Sequence, residues 1–212
     1  MTQRGNIIKH VSQMITLLGV KSVRMDDVAA EMGMSKRTLY EMFGDKEELL
    51  YQSLAYLIDE RGRTLSEKTK ECENMMEVLL VSVREMCGNG IASELEQRLA
   101  YNLKKFYPAV YDKVRRYHSE RGLNGLKSAL DRCRAEGLLD PHADIELMAQ
   151  LFLMTMGVFL SEGNNTLPEN TSREDAFAVM TINFLRGVSS VKGLQVIDQV
   201  LARYPRSNHD EK

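Results

Sequence analysis

Apolar residues recur at three- and four-residue spacings over the first third of the chain, the pattern of amphipathic helices. Gly19 follows the first stripe and is placed to cap a helix C-terminus. Two short helices over about 25–32 and 35–43 and a long helix over about 46–69 are predicted next, with Asp45 as an N-cap of the long one. The first stripe consists of Ile7, Val11, Met14, Ile15 and Leu18.

The helical spacing continues through the remainder of the chain. Gly122 and Gly125 weaken the middle of one predicted helix, because glycine costs about 1 kcal/mol relative to alanine inside a helix. We find no convincing alternation of apolar and polar residues of the kind that a half-buried strand shows. The fold class is therefore predicted to be all-α, with further helices over about 75–86, 95–106, 108–137, 144–161, 173–187 and 193–204.

Segment 27–44, DVAAEMGMSKRTLYEMFG, is typical of two short helices that cross closely. Ala29 is small enough to lie at such a crossing, and Gly33 can adopt the positive φ that a sharp turn needs. The apolar positions that fill a small shared core are Val28, Met32, Met34, Leu39 and Met42. The positions that then point outward are Ser35, Lys36, Arg37, Tyr40 and Glu41. This arrangement is a helix-turn-helix, whose second helix enters the major groove of DNA with its N-terminal end leading.

The outward side chains have the chemistry of a DNA-reading surface. Lys36 and Arg37 can donate to O6 and N7 of guanine, the commonest base-specific contact. Ser35 is a candidate N-cap whose neighbouring amides can face a phosphate, and Thr38 suits a base edge or a thymine methyl. Arg24, Tyr40 and Lys46 suit contacts with phosphates. The predicted DNA-binding residues are therefore Arg24, Ser35, Lys36, Arg37, Thr38, Tyr40 and Lys46.

This stretch resembles the DNA-binding domain of the TetR family of bacterial transcriptional regulators. Family members usually have Thr at the position of Arg24, where it caps the next helix. Arg24 cannot cap the helix in the same way, although Ser22 or Asp26 can partly take over this role. The resemblance implies that the chain divides into three parts. These are a three-helix helix-turn-helix head over 1–48, a ligand-binding and dimerisation body over 49–206, and a flexible tail over 207–212. The resemblance covers about residues 7–54 and depends on Val28-Ala29, Gly33-Met34-Ser35, Thr38-Leu39-Tyr40, Phe43 and Lys46-Glu47-Glu48-Leu49.

Charge limits how such a head can bind. The 212 residues include 28 Lys plus Arg and 30 Asp plus Glu, a net charge of −2, which excludes a strongly basic nucleic-acid coat. Residues 1–50 carry seven basic and seven acidic side chains. Attraction must come from the placement of the cations, with Asp26, Asp27 and Glu31 expected to lie off the DNA face. A single head should bind weakly and with strong salt dependence, so a dimer is required.

A dimer interface is predicted where the chain is most apolar. Twelve of the sixteen residues over 145–160 are apolar, and a helix that is apolar all round cannot lie on a monomer's surface. The helix over 173–187 has similar character, and TetR-family regulators usually dimerise through two such helices from each chain. The homodimer would place two heads about 34 Å apart on a near-palindromic double-stranded DNA operator. The predicted interface residues are Leu147, Leu151, Met154, Phe159, Phe177, Met180 and Phe184.

Methionines and aromatic residues are frequent over 75–135, the region that in the TetR family encloses an effector pocket. In that family, effector binding moves the long fourth helix and spreads the heads. A cavity with this lining would suit a small apolar or amphipathic molecule of unknown identity. The same residues also fit ordinary core packing, because any helical core needs such stripes. The residues concerned are Met76, Leu79, Met86, Phe106, Tyr107, Tyr111, Tyr117 and His118.

Other features of the sequence favour neither an enzyme nor a metal or membrane protein. The four histidines lack metal-ligand spacing, and the cysteines at 72, 87 and 133 lie far apart. We find no nucleophile–base pair, cofactor motif, signal peptide or spanning segment, so a cytoplasmic protein without cofactors is expected. The favoured function is ligand-responsive transcriptional repression. The alternative is a helical adaptor protein that uses the helix-turn-helix only as a packing unit, and DNA binding distinguishes the two.

Overall fold

The computed structural model describes residues 2–88, 94–160, 167–168 and 171–204, without the side chains of 87–88, 94–96 and 157–160. In these ranges the backbone forms ten α-helices and one isolated β-bridge, between Leu139 and Ser189. The predicted all-α class is confirmed. The helices are α1 (Gln3–Leu18), α2 (Met25–Glu31), α3 (Lys36–Phe43), α4 (Lys46–Lys68), α5 (Met75–Gly88), α6 (Glu94–Phe106), α7 (Pro108–Ala135), α8 (Ile145–Leu160), α9 (Arg173–Val188) and α10 (Val191–Arg203).

Two helices differ from their predicted extent. α1 begins before its apolar stripe because Thr2 caps it, the Oγ1 atom accepting a hydrogen bond from the amide of Gly5 at 3.2 Å. α7 runs unbroken through Gly122 and Gly125. Packing of its apolar face on a buried core outweighs the ~1 kcal/mol that each glycine costs in a helix. Over the residues that the structure describes, we find no helix with both the length and the apolar character that a bilayer crossing needs.

The chain divides into two compact units. Unit 1 comprises Met1–Thr64 and Ala92–Glu120, and unit 2 comprises Leu65–Ile91 and Arg121–Lys212. α4 and α7 contribute residues to both units. The functional boundaries at residues 48 and 206 stay predictions, and the tail over 207–212 lies outside the described residues.

Unit 1 is built around a core to which the first four helices contribute. Val11 of α1, Val28 of α2 and Leu39 of α3 are fully buried in it. Leu103 of α6 and Val110 of α7 belong to the same core, so helices that come later in the chain complete it. Burying a large aliphatic side chain contributes about 1.5–3 kcal/mol, which makes this shared core the main source of the unit's stability.

Unit 2 has a separate core and one very close backbone approach. The amide of Ser190 donates to the carbonyl of Leu138 at 3.0 Å, at the start of α10. A Cβ atom on the buried Gly193 would lie 1.9 Å from that same carbonyl oxygen, so only glycine fits there. The buried Glu77 of α5 accepts from the guanidinium of Arg203 at 2.7 Å, which fastens the end of α10. α5 and α10 are thereby held by polar as well as apolar contacts.

The turn between α2 and α3 depends on Gly33. Its φ is +65°, a value that L side chains rarely adopt, and nothing lies within 4 Å of where a Cβ would be. Glycine is therefore required by backbone conformation rather than by space. The amide of Met34 donates to the carbonyl of Ala29 at 2.9 Å, which closes the end of α2. Ala29 itself is buried, as expected for a residue at the crossing of α2 and α3.

We expect Gly33→Ala to destabilise unit 1 by about 1–2 kcal/mol, because alanine would be forced into the left-handed region. Gly62 is the matched control, since it lies inside α4 with nothing within 4 Å of its Cβ position. Gly62→Ala should stabilise the protein by about 0.5–1 kcal/mol. Urea denaturation of both variants measures the difference. Equal effects of the same sign would contradict the role of the turn.

Candidate nucleic-acid interface

α3 begins at a well-formed cap. The hydroxyl of Ser35 accepts a hydrogen bond from the amide of Thr38 at 3.1 Å and lies 2.9 Å from the hydroxyl of Thr38. The predicted N-cap role of Ser35 is thus present in the structure. The cap leaves the first-turn amides of α3 at an exposed helix N-terminus, a position that favours anions such as phosphate.

Burial separates the two faces of α3. Leu39 and Phe43 are 0% and 4% exposed and face the core of unit 1. The exposed side chains are those of Ser35, Lys36, Arg37, Tyr40 and Glu41, of which Arg37 and Glu41 lie opposite the buried pair. The side chain of Arg37 is 88% exposed and that of Lys36 is 55% exposed. Neither cation is used to hold the core, so both are available at the surface.

Each of these two cations has a carboxylate partner. The ammonium of Lys36 lies 2.7 Å from Oδ1 of Asp26, which belongs to the first turn of α2. The hydrogen bond that the ammonium donates to this carboxylate, and then the charge of Asp26, raise the pKa of Lys36. Arg37 donates to Glu41 at 2.8 Å along α3. Asp26 was expected to lie off the DNA face, but it lies beside Lys36 on the candidate surface.

The start of α2 has no side-chain cap. Arg24 is exposed at the N-cap position and makes no side-chain cap hydrogen bond. The hydroxyl of Ser22 donates instead to the carbonyl of Gly19 at 2.6 Å. The carboxylates of Asp26 and Asp27 stand in the first turn, where negative charge is favourable for the helix dipole. Arg24 therefore does not cap α2, and its phosphate contact stays a prediction.

Lys46 is less free than the sequence suggests. Its ammonium donates to the hydroxyl of Tyr107 at 2.7 Å and lies 5.1 Å from the centre of that ring. The carboxylate of Asp45 caps α4 by accepting from the amide of Glu48 at 2.8 Å. Tyr107 stands between α6 and α7, so a candidate phosphate contact is held by a residue from a later part of unit 1.

A second set of contacts braces α4 against α7 within unit 1. Glu48 accepts from Lys113 at 2.6 Å, and the ammonium of Lys113 lies 3.9 Å from the centre of the Tyr51 ring. Tyr117 donates to the carboxylate of Asp59 at 2.9 Å. Partial burial of Glu48 opposes its ionisation, but hydrogen bonds from Gln52 and Lys113 and the Lys113 charge lower its pKa overall.

The structure places the aromatic residues predicted to line an effector pocket in unit 1. The hydroxyls of Tyr107 and Tyr117 bond Lys46 and Asp59, and Tyr111 packs on the core of the unit. Phe106 lies under the ammonium of Lys21, 3.8 Å from the ring centre. Desolvation, and then the nearby charge of Arg61, lower the pKa of His118.

The remaining effector candidates lie in unit 2. Met76 is fully buried in its core, Leu79 is half-buried against that core, and Met86 is 38% exposed. Met76 thus has the core-packing role that the alternative interpretation gives to such residues, whereas the hydroxyl bonds of Tyr107 and Tyr117 were not predicted. The effector site stays a prediction.

The predicted dimer residues divide into an exposed and a buried set. Leu147, Leu151 and Met154 of α8 are 50%, 49% and 68% exposed, at the four- and three-residue spacings of one helix face. Phe177 of α9 is 1% exposed and belongs to the packing of the single chain. Met180 is half-buried, and the side chain of Phe159 lies outside the described residues.

Phe184, the last residue of the predicted interface, is half-buried, with its ring 4.7 Å from that of Phe152. On α9, the exposed apolar residue is Val179, at 40%, which the interface prediction did not include. Among the side chains of α8 and α9 that the structure describes, the exposed apolar surface is therefore formed mainly by the α8 stripe.

Within the ranges that the structure covers, no three His, Cys, Asp or Glu side chains are grouped in a way that could hold a metal ion. Cys133 is buried, and that burial raises the pKa of its thiol to about 12, so it remains protonated and unreactive near neutrality. Cys133 is thus a small residue of the core of unit 2.

Two residues on or near the candidate surface were missed from sequence. The contact of Asp26 with Lys36 was not predicted, although the two residues stand in the first turns of α2 and α3. Arg4 of α1 donates to the carbonyl of Met42 at 2.6 Å and lies 4.7 Å from the centre of the Phe43 ring. It therefore fixes the end of α3, a role for which an exposed arginine near a chain end gives no sequence signal.

Comparison with known proteins agrees with this geometry. Residues 11–52 match the family model described as bacterial regulatory proteins, tetR family. Among solved structures, the chain is similar to a TetR-family transcriptional regulator from Rhodococcus sp., at 21% identity and a TM-score of 0.56, with 92% of this chain and 97% of that one covered.

Two further solved structures share the fold. A TetR-family regulator from Mesorhizobium loti MAFF303099 has 21% identity and a TM-score of 0.55, over 95% of this chain and 96% of that one. A transcriptional regulator from Saccharomonospora viridis in complex with choline has 16% identity and a TM-score of 0.55, over 88% and 97%. No curated protein matches the chain.

The contact between Glu48 and Lys113 predicts how the stability of the protein depends on pH. A carboxyl with a lowered pKa contributes stability that is present above its unfolded pKa, near 4.5, and is lost as the pH falls through its folded pKa. We expect Glu48→Gln to be about 0.5–1 kcal/mol less stable than wild type at pH 7, because the pair with Lys113 is partly exposed. The difference should disappear below the folded pKa.

Glu47→Gln is the matched control, because Glu47 is an exposed acid in the same first turn of α4. It removes the same charge near the same helix dipole but leaves the contact with Lys113 intact. Thermal unfolding from pH 3 to pH 8 compares the variants. A stability deficit of Glu48→Gln that stays constant down to pH 3 would contradict the assignment.

Proposed function

We propose that the chain, whose N-terminal segment belongs to the TetR family of bacterial regulatory proteins, is a DNA-binding transcriptional regulator that acts as a homodimer. The single observation that carries the proposal is the exposed face of α3. Lys36 and Arg37 are exposed at its capped N-terminal end, while Leu39 and Phe43 anchor the helix in the core. An α-helix presented in this way fits the major groove of DNA.

The proposed division of labour on DNA follows from position and chemistry. Lys36 and Arg37 read base edges, with Thr38 next to them, since cationic side chains at the start of a recognition helix reach guanine O6 and N7. Arg24, Ser35, Tyr40 and Lys46 bind phosphates and fix the register, as most protein–DNA contacts do. Lys46 makes its phosphate contact while Tyr107 supports it.

A homodimer is proposed because one head has too little positive charge. Residues 1–50 carry seven basic and seven acidic side chains, so the affinity for DNA must come from a few cations at the DNA-facing surface. The exposed stripe formed by Leu147, Leu151 and Met154 on α8 supplies an apolar face that a second copy would cover. Two copies related by a twofold axis would read half-sites about 34 Å apart in a near-palindromic operator.

The regulator is proposed to act as a repressor that a small molecule releases from the operator. The Saccharomonospora viridis regulator, which has this fold, binds choline. That supports a small-molecule effector for the present chain, of the apolar or amphipathic class that methionine and aromatic side chains favour. An adaptor function, the alternative, predicts no DNA binding and is distinguished by gel shift with duplex DNA.

We expect Lys36→Ala and Arg37→Ala each to weaken binding by about 1–3 kcal/mol to a duplex that wild type enriches from a random pool, and to relax base preference at one position of each half-site. Lys70→Ala is the control, because it removes one exposed cation from unit 2. Quantitative gel shift measures all three. Wild-type affinity in a variant that carries both Ala substitutions would refute the assignment of α3.

The dimer has its own test. Leu151→Glu places a charge in the middle of the exposed α8 stripe and should convert the dimer to a monomer at micromolar concentration. Leu17→Glu is the control, since Leu17 is an 80% exposed leucine on α1. Sedimentation velocity gives the masses. A wild-type chain that is monomeric at the same concentration, or a Leu151→Glu variant that stays dimeric, would contradict the proposed interface.

A further inference from the structure

The contact between Asp26 and Lys36 joins the two helices of the motif on its exposed side. The carboxylate oxygen and the ammonium nitrogen are 2.7 Å apart, and both side chains are more than half exposed. An exposed ion pair of this kind contributes only about 0–1 kcal/mol to stability. The stability of the fold therefore does not account for an acidic side chain at position 26. In the proposed function, this surface faces DNA, which is a polyanion.

The carboxylate changes what Lys36 can gain from each kind of DNA contact. A phosphate that approaches the ammonium also approaches the carboxylate of Asp26, and the repulsion between these two anions offsets part of the attraction to Lys36. At a guanine, the ammonium can keep Asp26, because it has three N–H donors: one for the carboxylate and two for the acceptors O6 and N7. The ion pair thus opposes backbone binding and is compatible with base reading.

We propose that Asp26 is a specificity-determining positioning residue, which acts through Lys36 and makes it a reader of one guanine in each half-site rather than a general phosphate contact. The inference rests on the proposed function, since it needs α3 to meet DNA. It extends that function by assigning a role to an acidic residue on the reading surface. It also explains how a head with balanced charge can discriminate among sequences: its acids suppress binding where no base contact is made.

The test compares Asp26→Asn with Asp27→Asn in the full chain. Asp27 shares the first turn of α2 and is exposed, so its variant removes the same charge and the same helix-dipole interaction. Three probes are used: the duplex that wild type enriches from a random pool, that duplex with each G·C pair replaced in turn by A·T, and a random-sequence duplex. Affinities are measured over a range of salt concentrations.

We expect Asp26→Asn to bind the random duplex on the order of fivefold more tightly than wild type, the effect of one unit charge close to a phosphate in water. Its salt dependence should be steeper, because Lys36 becomes a phosphate contact. The ratio of selected to random affinity should fall, and the discrimination lost should belong to one G·C pair in each half-site. Replacing that same G·C pair by A·T should also leave the affinity of Lys36→Ala unchanged.

Asp27→Asn should raise affinity for selected and random duplexes by the same factor, which leaves their ratio unchanged. Equal changes of that ratio in the two variants would overturn the inference, because net charge alone would then explain it. Weaker binding of Asp26→Asn to every duplex would also overturn it, as would an unchanged G·C preference. Failure of wild type to enrich any duplex would instead refute the proposed function itself, so the two failures are distinguishable.

Discussion

The close crossing of α2 and α3 is the constraint on which the rest of the account depends. It is made possible by the positive φ of Gly33 and by the small, buried Ala29. Once these two helices cross with Leu39 and Phe43 turned inward, the 3.6-residue period places Arg37 on the outer face, and Lys36 and Tyr40 are exposed beside the buried pair. A reading surface is thus the geometric complement of a packed core.

The polar contacts of unit 1 hold that surface in a fixed position. Arg4 bonds the backbone at the end of α3, Lys46 bonds Tyr107, and Glu48 bonds Lys113. Each of these bonds is modest when exposed, but together they tie the end of α3 to α1 and the start of α4 to residues that come later in the chain. Because these contacts already fix the helices of the head, binding to DNA would cost little conformational entropy of the backbone. Such preorganisation increases affinity.

The sequence predicted the helices and the motif well because both depend on local periodicity and on glycine chemistry. The α2–α3 segment could be assigned residue by residue, including the cap at Ser35. Contacts between residues distant in sequence could not be predicted in the same way. Tyr107 and Tyr117 look like pocket aromatics in a helical stripe, yet their hydroxyls bond Lys46 and Asp59, because only the packing of α4 with the later helices brings these groups together.

The most direct test of the central claim, that the outer face of α3 enters the major groove, is methylation interference on a duplex enriched by the wild-type chain. Dimethyl sulfate modifies guanine N7 in the major groove and adenine N3 in the minor groove. We expect interference at guanine N7 in two patches about one helical turn apart. Interference confined to adenine N3, or none at guanine N7 in a duplex that still binds, would contradict the account.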